Sequence, residues 1–153
     1  MTDTKSIEIC HKDSRMIIGI MCRTSNDENK ASVDIPKLWN KFFTENIINK
    51  IPNKLSVDVL AFYYDYESDH TKPYSLLIGC VVDSIDIVPK DMIYKIIPAG
   101  SYAVFHASGE QPSATLKCWQ NIWNTDLKRT YTGDYELYSC SKPPTEVDIF
   151  IAI

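Results

Sequence analysis

The sequence has no run of three basic residues, no CxxC pair, and no apolar stretch near the roughly 20 residues that a membrane-spanning helix requires. Each absence removes a class of function. Scattered lysines and arginines with a formal net charge of −4 speak against nucleic-acid binding, which calls for a basic patch or stripe. The three histidines, His11, His70 and His106, form no ligand-spaced pair, and the adjacent Cys10 and His11 are too little for a metal site. No metal and no cofactor are therefore expected. There is no G-x-S-x-G or other nucleophile motif. The N-terminus, MTDTKSIEIC, lacks a charged start followed by an apolar core, so no leader is expected. Five widely spaced cysteines, most inside apolar segments, suit reduced, buried thiols in a cytoplasmic protein.

What is present fits one globular domain: 153 residues, of which 44% are hydrophobic. RMIIGIMCRT (15–24) is a short, nearly continuous apolar run, the pattern of a strand buried on both faces. In VDIPKLWNKFFTENIINKIPN, residues Ile35, Leu38, Trp39, Phe42 and Phe43 recur at helical spacing, with Asp34 as N-cap, Pro36 in the first turn and Pro52-Asn53 as the stop. LSVDVLAFYYDYES (55–68) and YSLLIGCVVDS (74–84) are rich in β-branched and aromatic residues and form a hairpin around DHTKP. The pattern then restarts. YKIIPAGSYAVFHA (94–107) is a strand broken or bulged at Pro98 to Gly100. A helix follows, with Ser113 as N-cap and Leu116, Trp119, Ile122, Trp123 and Leu127 on one face, and then the strands YELYS and VDIFIAI (147–153).

The order is β-α-β-β, twice, and KLWNKFF (37–43) aligns without gaps on KCWQNIW (117–123). The expected fold is α+β: two pseudo-repeats, at about 7–84 and 94–153, each an antiparallel sheet covered by a helix, with a central pocket where they meet.

GDYELYS (133–139) sets Glu136 and Tyr138 on the same face of a strand. Glu136 is either an exposed acid on an outer face or a charge kept partly buried to meet something positive. A carboxylate in an apolar site costs several kcal/mol unless paired or hydrogen-bonded. Ringed by aromatics, it favours a large, weakly hydrated organic cation. Tyr64, Tyr66, Tyr102, Phe105 and Trp123 are the best aromatic candidates for a pocket lining, whereas Trp39 and Trp119 fit core packing. Strand alternation places Phe62, Tyr64 and Tyr66 on one face and Tyr63 and Asp65 on the other; the Tyr64 set is taken to face the cavity.

Eight segments in order resemble the GyrI-like, or AraC-type, effector-binding domains: IIGIMCRT, IPKLW, YYDYESD, YSLLIGCVV, IPAGSYAVFHASG, the tryptophan helix, DYELY and EVDIFIAI. The resemblance spans about residues 7–153. It implies a duplicated β-α-β-β fold with a central pocket for cationic, amphipathic small molecules, and Glu136, in the D-aromatic-E-x-Y strand, as the buried acid that meets the ligand's charge. The family includes regulators with a separate DNA-binding domain, for which this chain has no room, and stand-alone members such as gyrase inhibitors and integron-cassette proteins. The favoured expectation is a stand-alone small-molecule binding protein without direct nucleic-acid or membrane contact. Alternatives are a hydrolase of reactive electrophiles using Glu136 with Tyr102 or Tyr138, and a protein-interaction module with a protein partner or as a homodimer.

Overall fold

The computed structural model describes residues 7–153; residues 1–6, on which the expected lack of a leader partly rests, lie outside the described residues. The chain forms β1 (Glu8–Lys12), β2 (Arg15–Thr24), a short 3-10 turn (Asp27–Asn29), α1 (Ala31–Thr44), α2 (Ile47–Lys50), β3 (Val59–Tyr64), β4 (Tyr74–Val82), β5 (Ile93–Ile97), β6 (Gly100–Ser108), α3 (Ser113–Trp123), β7 (Asp134–Tyr138) and β8 (Glu146–Ala152). No helix among the described residues is long and apolar enough to cross a membrane. The expected α+β class and β-α-β-β order hold. Instead of two sheets, however, all strands join one antiparallel sheet in the order β1-β6-β8-β7-β3-β4-β2-β5. Pairing of β3 with β7 at its centre fuses the two β-α-β-β runs.

Two short links dictate the shape of that sheet. Only Asp13 and Ser14 separate β1 from β2, and only Pro98 and Ala99 separate β5 from β6. Yet each linked pair stands six strand positions apart. In a flat sheet six spacings measure about 29 Å, whereas a two-residue link reaches only about 11 Å. The sheet must therefore curl until its edges approach each other. The curl buries an inner layer of Ile17, Leu60, Phe62, Tyr64, Leu77, Ile97, Tyr102, Val104, Tyr135 and Phe150, drawn from both ends of the sheet with no helix over them. Arg15, at the start of β2, donates to the Tyr135 hydroxyl at 3.0 Å and lies 4.8 Å over its ring.

The outer face carries the helices. Leu38 and Phe42 of α1 pack on Ile18, Ile20, Leu76 and Ile78, and Ile122 of α3 packs on Ala103, Ile149 and Ile151. Helix α1 begins at Ala31, upstream of the expected Asp34 cap, because the main-chain N–H groups of Val33 and Asp34 already bond the Lys30 carbonyl; Pro36 therefore lies inside the helix. Likewise Ser113 is the first residue of α3, not its cap. Residues 94–107 break where expected, at Pro98–Ala99, into β5, which pairs with β2, and β6, which pairs with β1 and β8. Strand β1, unmarked by hydrophobic alternation, is held at the edge by main-chain pairing with β6.

Gly19 and Gly79 are directly opposite each other in the pairing of β2 with β4. A methyl group on Gly79 would stand 2.0 Å from the Ile18 carbonyl oxygen, and one on Gly19 2.0 Å from that of Ile78, both unyielding backbone atoms. Gly79→Ala is expected to destabilise the fold by about 3 kcal/mol or more, measured by urea unfolding; a change below 1 kcal/mol would contradict this reading of the contact.

Candidate functional site

Glu136 lies in the middle of β7, opposite Ala61 of β3 on one side and Ile149 of β8 on the other. It points to the helix-bearing face and is only 3% exposed. Of the two outcomes left open by sequence, the structure gives the buried one. Three side chains from three elements donate to its carboxylate. Trp119 Nε1 of α3 reaches Oε2 at 2.6 Å, the Tyr63 hydroxyl of β3 reaches Oε2 at 2.9 Å, and the Tyr138 hydroxyl reaches Oε1 at 2.5 Å. Trp39 of α1 packs its ring edge-on against Tyr138, with centroids 4.9 Å apart. The carboxylate thus sits under both long helices, at the seam between the halves, inside an aromatic shell.

Burial pushes the Glu136 pKa up, and the bonds from Tyr138, Trp119 and Tyr63 pull it back only in part. The Tyr63 and Tyr138 hydroxyls are both raised well above the ordinary tyrosine range, first by their own burial and then by the charge of Glu136. Among the described residues no lysine, arginine or histidine lies within ion-pair distance of Glu136.

Asp134 makes the contrast. Two residues earlier on the same strand and face, it is fully buried. Its Oδ2 accepts from Arg129 Nη2 at 2.7 Å and from the Tyr66 hydroxyl at 2.6 Å, and its Oδ1 accepts the Ala152 N–H at 2.8 Å. One buried acid has an internal cation; its neighbour has only neutral donors.

The other expected site residues are distributed as follows. Tyr138 touches Glu136 directly. Tyr64 does not: it stacks on Phe62 inside the curl, 5.1 Å between centroids, and so lies on the opposite face. Tyr63 occupies the place given to it, since successive residues of β3 alternate and Tyr63 is the one that shares the face of Glu136. Tyr66 nevertheless returns to the helix side, next to Tyr74 and Asp134, because Asp65 takes a left-handed φ of 50° and breaks the alternation just past the end of β3. Tyr102 is also on the wrong face. It lies inside the curl, edge-on to Tyr135, with its hydroxyl donating to the Pro98 carbonyl. It cannot pair with Glu136 as an acid–base partner. Phe105 is on the helix face but shares a row with Glu136 two strands away, across Ile149, packed beneath α3. Trp123 lies one helical turn beyond Trp119 and stacks on His70 at 5.0 Å. Sequence reasoning missed Tyr63 and assigned Trp119 and Trp39 to the core; the paired tyrosines of AFYYDY and the Trp119/Trp123 spacing were the available signals.

At the expected central pocket the rings of Tyr63, Trp119 and Tyr138 close over the Glu136 carboxylate. Two hollows lie elsewhere, one of about 120 Å³ between Lys41, Ile47, Lys90 and Met92, the other of about 250 Å³ between Pro98, Tyr102, Thr132 and Ile153. Neither is lined by Glu136. No cluster of three or more His, Cys, Asp or Glu suited to a metal ion occurs among the described residues.

A carboxyl group whose folded pKa is raised holds its proton more tightly in the folded state. Its contribution favours folding at low pH and is lost as pH rises from the unfolded value through the folded one. Stability is therefore expected to fall across that window above the usual carboxylate range, by at most about 1.4 kcal/mol per pH unit, and Glu136→Gln should lack this step. Urea midpoints of both proteins from pH 4 to pH 8 check it; parallel pH profiles would contradict it.

Residues 8–153 match the model of a family described as integron-associated effector binding protein. The chain is 30% identical to YobU of Bacillus subtilis strain 168, a proposed transcriptional regulator, over 95% of this chain and 96% of that one. An integron cassette protein from the mobile metagenome of Vibrio cholerae superposes with a TM-score of 0.76 at 29% identity, covering 97% of this chain and 95% of the other. SAV2435, solved bound to tetraphenylphosphonium, superposes equally well, at 0.76, with 19% identity and 95% and 92% coverage, and so shares the fold. A buried acid without a cation, set in rings at the seam of two β-α-β-β runs, thus sits in a chain that belongs to the integron-associated effector-binding family.

Proposed function

We propose that this protein is a receptor for cationic, amphipathic small molecules, with Glu136 as the counter-ion and Trp119, Tyr63, Tyr138 and Trp39 as the aromatic cage. One observation carries the reading: Glu136 is buried with three neutral donors and no cation, whereas Asp134 beside it has Arg129. A carboxylate takes about four hydrogen-bond sites. Three are filled, so a cation can be attracted without dismantling the whole set. A large organic cation is weakly hydrated and loses little on entering, and aromatic faces add from about 0.5 kcal/mol each at exposed sites to about 2 kcal/mol when desolvated. The tetraphenylphosphonium bound by the fold relative SAV2435 is of this chemical class, which supports the choice of ligand.

The likeness to YobU favours a place in the control of transcription. Hydrolysis of electrophiles is less well supported. Of the two tyrosines expected to act with Glu136, Tyr102 lies on the other face of the sheet, and Tyr138 is already committed as a donor to the carboxylate.

In the closed arrangement Trp119 and Tyr138 shut the carboxylate in, so admission of a ligand requires these rings to swing aside. Tetraphenylphosphonium is expected to quench tryptophan fluorescence on binding. Glu136→Gln should weaken it by about 30-fold or more, the low end of what losing one partner of a buried charge pair costs. Wild-type affinity should also fall as pH drops through the raised pKa of Glu136, because proton and cation compete for one carboxylate. Unchanged affinity in Glu136→Gln, measured by fluorescence titration and calorimetry, would remove this residue from the function.

A further inference from the structure

Next to the Glu136 cage lies a group of buried donors that the fold leaves unused. The Arg129 side chain is 5% exposed. Its Nη2 donates to Asp134, and its guanidinium face lies 4.3 Å over the Tyr131 ring and 6.0 Å from that of Tyr66. Its Nε and Nη1 are buried and have no hydrogen-bond partner among the described residues. The same holds for Trp123 Nε1 and for His70 Nδ1. These groups belong to one corner. The His70 and Trp123 rings are stacked at 5.0 Å, only 6° from parallel, and Arg129 joins them through Tyr66, whose ring stands 5.8 Å from that of Tyr74. The corner is also held in place. Asn26 donates to the His70 carbonyl at 2.7 Å and accepts from the Tyr74 hydroxyl at 2.7 Å.

Leaving buried N–H groups unpaired costs about 1–3 kcal/mol each, so such groups are normally satisfied. Here four polar atoms from three side chains lack a partner at one place, and three of those atoms are obligate donors, on Arg129 and Trp123. The corner adjoins the cage: Trp123 follows Trp119 by one helical turn, with ring centroids 6.4 Å apart, and Trp119 bonds Glu136. Its charges are Arg129 and Asp134, which neutralise each other, and Asp69, next to His70 in the chain and bonded to Thr71. An anion would meet the Asp134 and Asp69 carboxylates; an uncharged oxygen would not.

We propose that Arg129, Trp123 and His70 form a second subsite that takes a neutral hydrogen-bond acceptor, a carbonyl or amide oxygen, carried by the same ligand whose cation meets Glu136. This rests on the receptor reading above and sharpens it. The ligand class becomes an organic cation with an uncharged oxygen about one helical turn, roughly 6 Å, from its charge.

Two matched probes test it: pentyltriphenylphosphonium and its 4-oxopentyl counterpart, which differ only in the ketone. Wild type should bind the ketone about tenfold more tightly, the size of one good net hydrogen bond. Trp123→Phe keeps an aromatic ring and removes the indole N–H, and Arg129→Lys keeps a cation for Asp134 and removes Nε and Nη1. Each should bring the two affinities close together and leave that of the pentyl probe unchanged. Equal affinities in wild type, or a preference that survives both substitutions, would overturn the subsite. If the pentyl probe still loses affinity in Glu136→Gln while showing no ketone preference in wild type, only the subsite falls. If neither probe binds wild type, both readings fall together.

Discussion

Everything at the centre of this protein answers to the desolvation of one carboxylate. Removing the Glu136 anion from water costs several kcal/mol even after relaxation, and the fold offsets that with three hydrogen bonds rather than with a counter-ion. The offset is incomplete, which is why its pKa stays raised. The donors come from β3, β7 and α3, so one charge ties the two halves and a helix to a single point. A stability-driven arrangement would have used an arginine, as the same strand does at Asp134. Holding an acid in a partly satisfied state makes chemical sense if a cation is meant to complete it.

The curled sheet explains how such a site can be tolerated. Its inner face packs Ile17, Phe62, Tyr102, Tyr135 and Phe150 into a core that owes nothing to the helices. The outer face can then give its central strip to polar and aromatic groups without loss of the main hydrophobic layer. The two-residue links β1–β2 and β5–β6 hold that curl closed, while on the outer face Trp119 of α3 bonds Glu136 and Trp39 of α1 packs on Tyr138 beside it.

Local pattern made much of this legible. The apolar run 15–24 coincides with β2, and the tryptophan spacing of α3 was plain from sequence. Glu136 and Tyr138 were placed together by the two-residue period of a strand. The failures have one cause, that faces and partners are long-range properties. Whether Tyr63 or Tyr64 meets Glu136 depends on which face receives the helices, and nothing within AFYYDY encodes that. Tyr66 escaped the alternation through the left-handed turn at Asp65. Tyr102 was misplaced because β6 has apolar residues on both faces: Ala103 and Phe105 lie under α3, and Tyr102 and Val104 inside the curl. Pro98 marked the break between β5 and β6, but that the two pieces pair at opposite ends of the sheet follows from its closure, which no local signal reveals.

The most direct test of the central claim is a crystal structure of the protein soaked with a bulky organic cation such as tetraphenylphosphonium. The account predicts the phosphorus centre beside the Glu136 carboxylate, with Trp119 swung away from its present bond and the rings of Tyr63, Tyr138 and Trp39 against the ligand. A cation found instead in the hollow by Pro98 and Tyr102, or with Trp119 still bonded to Glu136, would contradict it.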